Sequence, residues 1–183
     1  LMNPEVQKAA SAASAVRLAR SAYQPALCDI FNNPYSIVES VDGYRFDINP
    51  EARRQLPNII NNKVQVIKGG ASLDDEARTQ YERARKIGIV FSGGPAPGGH
   101  NVIAGLYDAA RKSNPQNRLF GFLVGPDGII EGEYIELTDQ LVDSYRNLGG
   151  FSMIKTGRTK IDTQQKMAMG RETILEMGLD ALV

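Results

Sequence analysis

Glycine and proline are concentrated in one short stretch, IVFSGGPAPGGHN, at positions 89–101. This stretch follows an apolar run and precedes a helical pattern. Glycine has no Cβ, so its backbone can approach a ligand closely and adopt positive φ, while Pro95 and Pro97 stiffen the loop. Backbone N–H groups in such a loop, with the positive end of the following helix, attract anions. We therefore expect the loop to hold phosphate. The residues expected to bind it are Gly93, Gly94, Gly98 and Asn101.

Two common phosphate-binding motifs do not fit this spacing. A Rossmann fingerprint needs glycine at position 95, where the chain has proline, and an acidic residue closing the second strand, where residues 123–125 read Leu-Val-Gly. A Walker A loop needs Gly-Lys-Ser/Thr, whereas residues 98–101 read Gly-Gly-His-Asn. The other open interpretation is that the glycines only form a tight turn between a strand and a helix.

The charge balance and hydropathy exclude two classes of partner. Lysine plus arginine equals aspartate plus glutamate at 21 each, so the chain lacks the basic excess that drives duplex-DNA binding through counterion release. No apolar run approaches the ~20 residues that a membrane helix needs. We expect neither nucleic acid nor membrane as a partner.

Histidine and cysteine each occur once, as His100 and Cys28. A single histidine excludes a His-rich metal site. The position of His100 in the first turn of a predicted helix favours a neutral imidazole, which leaves a general base and helix-start packing or capping both open. A lone cysteine cannot form an internal disulfide, which fits a reducing compartment but also a cysteine-poor secreted protein. The cytoplasm is the expected location.

From residue 86 onward, strand patterns alternate with helix patterns. KIGIVF, RLFGFLVG and EYIEL predict strands, and LDALV predicts a strand of the buried type. HNVIAGLYDAARKS and DTQQKMAMGRETILEMG predict helices, the second capped by Asp162 or Thr163 and stopped by Gly178. This alternation predicts an α/β fold with a doubly wound, mostly parallel sheet, whose ligand lies at the carboxyl ends of the strands.

Residues 1–85 form an N-terminal helical and irregular extension in this interpretation. An alanine-rich pattern predicts a helix over Pro4–Tyr23 that lies against a larger body, and DDEARTQYERARK predicts a solvated helical or flexible connector. We divide the chain into this extension and the first part of an α/β domain at 86–183. Because a terminal LDALV strand would leave one sheet face uncovered, we expect the chain to be truncated.

The stretch SGGPAPGGHN resembles the phosphofructokinase family, and most closely its long pyrophosphate-dependent fructose-6-phosphate phosphotransferases. Further stretches agree in the same order: ARSAYQP, QLPNIINN, GFLVGPDGIIEGEYIEL, YRNLGGFSMIKTGRTKI and MGLDALV. The resemblance is loose before residue 85 and close over 86–183. It implies the phosphofructokinase-like fold and reversible transfer of a phosphoryl group between magnesium pyrophosphate and the 1-hydroxyl of fructose 6-phosphate in glycolysis.

The resemblance also implies roles for single residues. Gly94, with Gly93 beside it, corresponds to the glycine that packs under the donor phosphates, and Arg158 in KTGRTK corresponds to the arginine that reaches them. A planar guanidinium suits two non-bridging phosphate oxygens. The family position that His100 matches is not the general base, so the resemblance implies helix-start packing or capping for His100. Lys155 and Arg146 are expected either to add positive potential near the site or to be solvated surface charges. Magnesium is the implied cofactor, and a homo-oligomer of two or more subunits is the implied assembly.

In the family, the catalytic aspartate, the Gly-Gly-Asp loop and most sugar-phosphate ligands follow the strand that LDALV resembles. We therefore expect the catalytic residues and metal ligands beyond Val183, and no activity from the 183-residue chain alone. Pro95 and the Gly-Gly-His-Asn run differ from the aspartate and Gly-Met-Asn common in ATP-using relatives, which favours pyrophosphate as the donor. The alternatives are an ATP-dependent 6-phosphofructokinase and a non-catalytic regulatory subunit of the same fold.

Overall fold

The computed structural model describes residues 3–32, 35–43, 47–60, 62–69 and 74–183. The helices there are α1 (Pro4–Ser21), α2 (Asp29–Asn32), α3 (Pro50–Gln55), α4 (Pro57–Ile60), α5 (Asp75–Glu82), α6 (Gly99–Ser113), α7 (Pro126–Glu131), α8 (Asp139–Tyr145) and α9 (Gln164–Met177). The strands are β1 (Ser36–Val41), β2 (Val64–Gly69), β3 (Lys86–Ile89), β4 (Arg118–Phe122), β5 (Tyr134–Leu137) and β6 (Ala181–Leu182). The chain forms two compact units, residues 26–80 and residues 1–25 with 81–183.

The larger unit contains a four-stranded sheet in the order β5-β4-β3-β6. β3 pairs in parallel with β4 and with β6, and β5 pairs antiparallel with β4. The predicted α/β class and mostly parallel sheet are confirmed. The predicted strand at LDALV is present as β6, which lies at the end of the sheet order, and its apolar residues are uncovered, with Leu182 42% exposed and Val183 57% exposed.

The sheet buries different side chains on its two faces because successive strand residues alternate in direction. Ile89 of β3 and Leu119 of β4 belong to a buried cluster that also contains residues of α6 and α8, including Ile103 and Val142. Phe122 of β4 is fully buried, and Tyr134 meets its ring edge-on at 6.1 Å. This packing holds the carboxyl end of β3 in place beside that of β4.

The long helices of this unit begin and end close to their predicted positions. The Thr163 hydroxyl caps α9 by accepting the Lys166 N–H at 3.2 Å, and Gly178 ends it with φ of 61°. In α1, Asn3 Oδ1 accepts the Glu5 N–H at 2.9 Å. α7 and α8 were not predicted, since each is too short for a clear 3.6-residue period.

α1 packs against the segment around α8. Arg17 Nη2 donates to the Ser144 carbonyl at 3.0 Å, and Asn147 Nδ2 donates to the carbonyls of Arg20 and Tyr23 at 2.8 and 2.7 Å. This docking explains how a helix with little amphipathic pattern is held, because its contacts are hydrogen bonds to its last turn.

The smaller unit, residues 26–80, contains a two-stranded antiparallel ribbon of β1 and β2 that was not predicted. Its register runs from Ser36 opposite Gly69 to Val41 opposite Val64. None of its described residues is fully buried. A ribbon this exposed has no strict apolar and polar alternation, which is why its sequence resembles irregular structure.

None of the described helices combines the length and the hydropathy needed to cross a bilayer.

Candidate functional site

Three backbone segments meet at the carboxyl end of β3. The first follows β3, the second follows β4, and the third precedes Arg158. Ser92 and Gly157 form an isolated parallel bridge, and the Gly93 N–H donates to the Gly157 carbonyl at 2.8 Å. The Val124 N–H donates to the Ile154 carbonyl at 2.9 Å. The third segment is therefore hydrogen-bonded to both of the others.

Glycine is required where these backbones meet. A Cβ added to Gly157 would lie 2.1 Å from the Val124 carbonyl oxygen, and a Cβ on Gly125 would lie 2.4 Å from the Gly157 nitrogen. Val124 itself has φ of 59°, a conformation that β-branched residues rarely adopt. Such strain persists only where the surrounding structure imposes it, and it concentrates at functional sites.

The glycine loop has unpaired backbone donors. Gly93 and Gly98 have φ of 108° and 95°, as expected for positions that favour glycine. The Gly93 N–H is occupied by Gly157. Across the described part of the chain, the N–H groups of Gly94 and Ala96 have no hydrogen-bond partner, and both residues are exposed. These two groups are the donors that the tip of the loop offers to an anion.

Arg158 lies directly over this loop. A Cβ built on Gly94 would be 3.2 Å from Arg158 Nη2. The side chain is exposed, and no described residue forms a hydrogen bond or ion pair with it. On its far side, the Thr159 hydroxyl donates to Asp127 Oδ2 at 2.8 Å, which fixes the adjoining residue. The structure thus brings together Gly94 and Arg158, which the sequence places far apart.

Asn101 lies in the first turn of α6, at the helix side of the loop. Its N–H donates to the Gly98 carbonyl at 3.0 Å, and its Oδ1 accepts the Asn147 N–H at 3.3 Å. The main chain of Asn101 therefore bonds to the loop backbone. The side-chain oxygen holds the loop that follows α8.

His100 is buried, with 3% of its surface exposed. Its Nε2 accepts the Met153 N–H at 3.1 Å, and its ring meets Tyr145 edge-on at 4.7 Å. Burial lowers the pKa of this imidazole, with a smaller opposing effect from the Gly149 backbone. Nδ1 faces that backbone without a hydrogen bond of ordinary geometry. His100 is therefore a neutral packing residue at the start of α6, as interpreted from the sequence.

The other two cations considered near the site differ from each other. Arg146 is held by Asp108 at 2.7 and 2.9 Å and by Asp143 at 3.0 Å, and the Asp108 carboxylate foremost raises the pKa of its guanidinium. Its charge is already neutralised. Lys155 is exposed and has φ of 61°, three residues before Arg158.

Acidic side chains are sparse around the glycine loop. No group of three or more histidine, cysteine or acidic side chains among them is close enough to hold a metal ion. Asp127 is the carboxylate beside Gly157, and its Oδ2 already accepts the Thr159 hydroxyl.

Sequence reasoning missed Gly125, Gly157 and Thr156 as parts of this site. The Thr156 hydroxyl lies 3.0 Å from the carbonyl oxygens of both Phe91 and Gly93. A usable signal existed for Gly125, because the Val-Gly-Pro-Asp-Gly run directly follows a strand that neighbours β3. Ligands in open α/β sheets bind outside the carboxyl ends of such strands.

The chain is similar to curated proteins of known name. It is 41% identical over 172 residues to the pyrophosphate--fructose 6-phosphate 1-phosphotransferase of Porphyromonas gingivalis, covering 94% of this chain and 30% of the relative. It is 36% identical over 180 residues to subunit beta 2 of that enzyme in Arabidopsis thaliana, covering 98% of this chain and 31% of the relative. The Treponema pallidum enzyme is 50% identical over 101 residues, covering 55% of this chain and 18% of the relative.

The chain thus spans less than a third of the length of these relatives. Residues 86–183, which form more than half of the chain and carry the glycine loop, Arg158 and the four-stranded sheet, match the family described as Phosphofructokinase. This chain belongs to the phosphofructokinase family.

Proposed function

We propose that the Gly93–Gly94 loop and Arg158 bind the phosphates of inorganic pyrophosphate. The observation that carries the proposal is the guanidinium of Arg158, which pairs with none of the described residues and lies beside Gly94, where a Cβ would come within 3.2 Å of Nη2. An exposed cation over unpaired backbone donors attracts an anion, and a planar guanidinium bonds two phosphate oxygens at once. Gly98, at the left-handed turn into α6, and Asn101, in the first turn of that helix, belong to the same proposed phosphate site.

The activity proposed for the whole protein is reversible transfer of a phosphoryl group from pyrophosphate to the 1-hydroxyl of fructose 6-phosphate, as a step of glycolysis. The support is the name of the relatives at 41% and 36% identity. In phosphoryl transfer the protein mainly positions the reactants and neutralises charge on the non-bridging oxygens. Gly94 removes steric obstruction at the donor, the loop N–H groups orient it, and Arg158 offsets its charge.

Magnesium would accompany pyrophosphate in this reaction, but the described residues supply no ligand set for it. We assign no step to the metal. The catalytic base is likewise not assigned to any of these residues.

The domain division, assembly and location are parts of the same proposal. Residues 86–183 would be the first part of the donor-binding domain, and residues 1–85 an N-terminal extension. The Arabidopsis relative is named as a subunit, which supports an assembly of two or more chains. A cytoplasmic location is supported by the single free cysteine, Cys28.

The test is calorimetric binding of inorganic pyrophosphate to the 183-residue chain and to Arg158→Ala. We expect Arg158→Ala to weaken binding by roughly 10- to 100-fold, because a charge-assisted hydrogen bond contributes about 1.5–3 kcal/mol. Arg118→Ala is the matched control, since Arg118 is paired with Glu136 on the surface, and its affinity should equal that of the wild type.

Equal pyrophosphate affinity in Arg158→Ala and the wild type would remove Arg158 from the site. A chain that binds ATP in preference to pyrophosphate would support the ATP-dependent alternative. We expect no fructose 1,6-bisphosphate from the 183-residue chain in a coupled assay.

A further inference from the structure

We propose that Thr156 and His100 are positioning residues that fasten the two ends of the glycine loop to the segment carrying Arg158. This proposal rests on the phosphate-binding function proposed above. The glycine loop and Arg158 are distant in sequence, and these two side chains would fix their positions relative to each other.

Thr156 fastens the front end of the loop. Its hydroxyl lies 3.0 Å from the Phe91 carbonyl oxygen and 3.0 Å from the Gly93 carbonyl oxygen. A threonine hydroxyl has one hydrogen, so it donates to one of these oxygens or is shared between them. Both acceptors belong to the residues that enter the loop. Arg158 follows Thr156 by two positions, so this hydrogen bond fixes the backbone close to Arg158.

His100 fastens the back end of the loop. The Nε2 of its ring accepts the Met153 N–H at 3.1 Å, and the backbone N–H of His100 donates to the Gly150 carbonyl at 3.0 Å. The preceding residue, Gly99, lies so close to the same segment that a Cβ would be 3.0 Å from Phe151 Cβ and 3.1 Å from the Gly150 oxygen. The start of α6 is therefore bound to residues 150–153 by a side chain and by the main chain.

The stretch between Met153 and Thr156 is also held by burial and by backbone hydrogen bonds. Ile154 is fully buried, and its carbonyl accepts the Val124 N–H at 2.9 Å. The Lys155 N–H donates to the Phe151 carbonyl at 3.0 Å. These bonds hold residues 151–155 to the segment after β4 and to one another, while Thr156 and Gly157 bond to residues 91–93. A binding site that is held in its productive geometry loses less conformational entropy on binding, which raises affinity.

The fastening at His100 requires a neutral imidazole. When Nε2 is protonated it becomes a donor and faces the Met153 N–H, which is also a donor. The titratable side chain packed against the ring is Tyr145 of α8, and no charged side chain contributes to the pKa of His100. Residues 149–153 present backbone groups to it. Acid is therefore expected to release this end of the loop.

The experiment compares paired variants of the 183-residue chain by their affinity for inorganic pyrophosphate. Thr156→Val and His100→Leu remove the hydroxyl and the acceptor while keeping similar volume, and each should weaken binding by about tenfold. Thr156→Ser keeps the hydroxyl and His100→Gln keeps an acceptor, so both should bind like the wild type. Between pH 7 and pH 5, the ratio of wild-type to His100→Gln affinity should fall, because only the wild type loses its acceptor on protonation. Protonation of pyrophosphate itself affects both proteins equally and cancels in the ratio.

Amide hydrogen exchange gives a second measurement that does not depend on pyrophosphate. The Met153 N–H should exchange faster in His100→Leu than in His100→Gln, and the Gly93 N–H faster in Thr156→Val than in Thr156→Ser. If the wild type does not bind pyrophosphate, the proposed function fails. Amide hydrogen exchange alone then tests whether Thr156 and His100 hold the two ends of the loop. Unchanged affinity and unchanged exchange in the Val and Leu variants would overturn this fastening. Should His100→Leu not fold, the pH contrast between the wild type and His100→Gln decides that end.

Discussion

The two ends of β3 differ in whether the polar groups there have partners. At the amino end, the Arg85 N–H donates to Asn117 Oδ1 at 2.7 Å and the Lys86 N–H donates to Asp180 Oδ2 at 2.8 Å. Arg83 pairs with the same Asp180 carboxylate at 2.9 Å. At the carboxyl end, Arg158 has no partner among the described residues. Paired polar groups stabilise the fold, whereas an unpaired cation is available to a ligand.

The backbone shows the same contrast. Val124, Asn147 and Lys155 are the non-glycine residues with positive φ in the described chain, and all three lie in segments that surround the glycine loop. None lies at the amino end of β3. Strain and unpaired donors together distinguish the end that we propose to bind phosphate from the end whose polar groups are paired.

The largest effect should come from adding a methyl group where the backbones meet. Gly157→Ala would place a Cβ 2.1 Å from the Val124 carbonyl oxygen, and we expect it to lower the free energy of unfolding by about 3 kcal/mol or more. Gly105→Ala in α6 is the matched control, because nothing lies within 4 Å of its Cβ position. It should gain up to about 1 kcal/mol. Equal urea denaturation midpoints for the two variants would show that the carboxyl end is not tightly packed.

Asn117→Ala tests the amino end. Asn117 is 3% exposed, and its Nδ2 donates to the Ala110 carbonyl at 2.7 Å while its Oδ1 accepts the Arg85 N–H. Loss of this side chain leaves buried groups unpaired, so we expect a loss of about 2 kcal/mol in stability. Pyrophosphate affinity at a temperature where the variant is folded should not change. A weakened affinity would contradict the separation of the two ends.

The two ends should also respond to acid at different pH. Burial lowers the pKa of His100 in the folded chain below the value of about 6.5 that an unfolded imidazole has. The unfolded chain therefore takes up the proton first, so the contribution of His100 to stability is present above about pH 6.5 and is lost as pH falls. At the amino end, the Lys86 N–H foremost, with Arg83, holds the pKa of Asp180 below its usual range. That contribution is present above about pH 4 and is lost on further acidification.

Stability measured against pH checks this order. His100→Gln should flatten the curve between about pH 5 and pH 7, whereas Asp180→Asn should flatten it only below about pH 4. If Asp180→Asn flattened the curve between about pH 5 and pH 7 and His100→Gln only below about pH 4, the pH responses assigned to the two ends of β3 would be wrong.

The smallest effect is expected at the exposed pair on neighbouring strands. Arg118 donates to both oxygens of Glu136, at 2.8 and 2.7 Å, and both side chains are about half exposed. Arg118→Gln should cost no more than about 1 kcal/mol, and salt should reduce the difference. A larger loss at high salt would assign Arg118 a packing role on Phe120, whose ring lies 5.0 Å from its guanidinium carbon.

The sequence predicted the elements that have strong local signals. The glycine loop, the helix that follows it and the caps of α9 depend on residues within a few positions, so turn and capping chemistry identified them. The β1–β2 ribbon and the short helices α7 and α8 depend on contacts between distant segments. Their sequences have no clear period, and they were not predicted.

The sequence by itself determined that a loop rich in glycine and proline would stand between β3 and α6, because proline restricts φ and glycine releases it wherever they occur. It also determined that the chain carries one histidine and a balanced charge. Only the tertiary structure decided that Arg158 lies over Gly94, that Gly157 fits beneath Val124, and that Thr156 and His100 reach opposite ends of the loop. These relations join segments that are distant in the chain, and packing of the sheet and its helices brings them together.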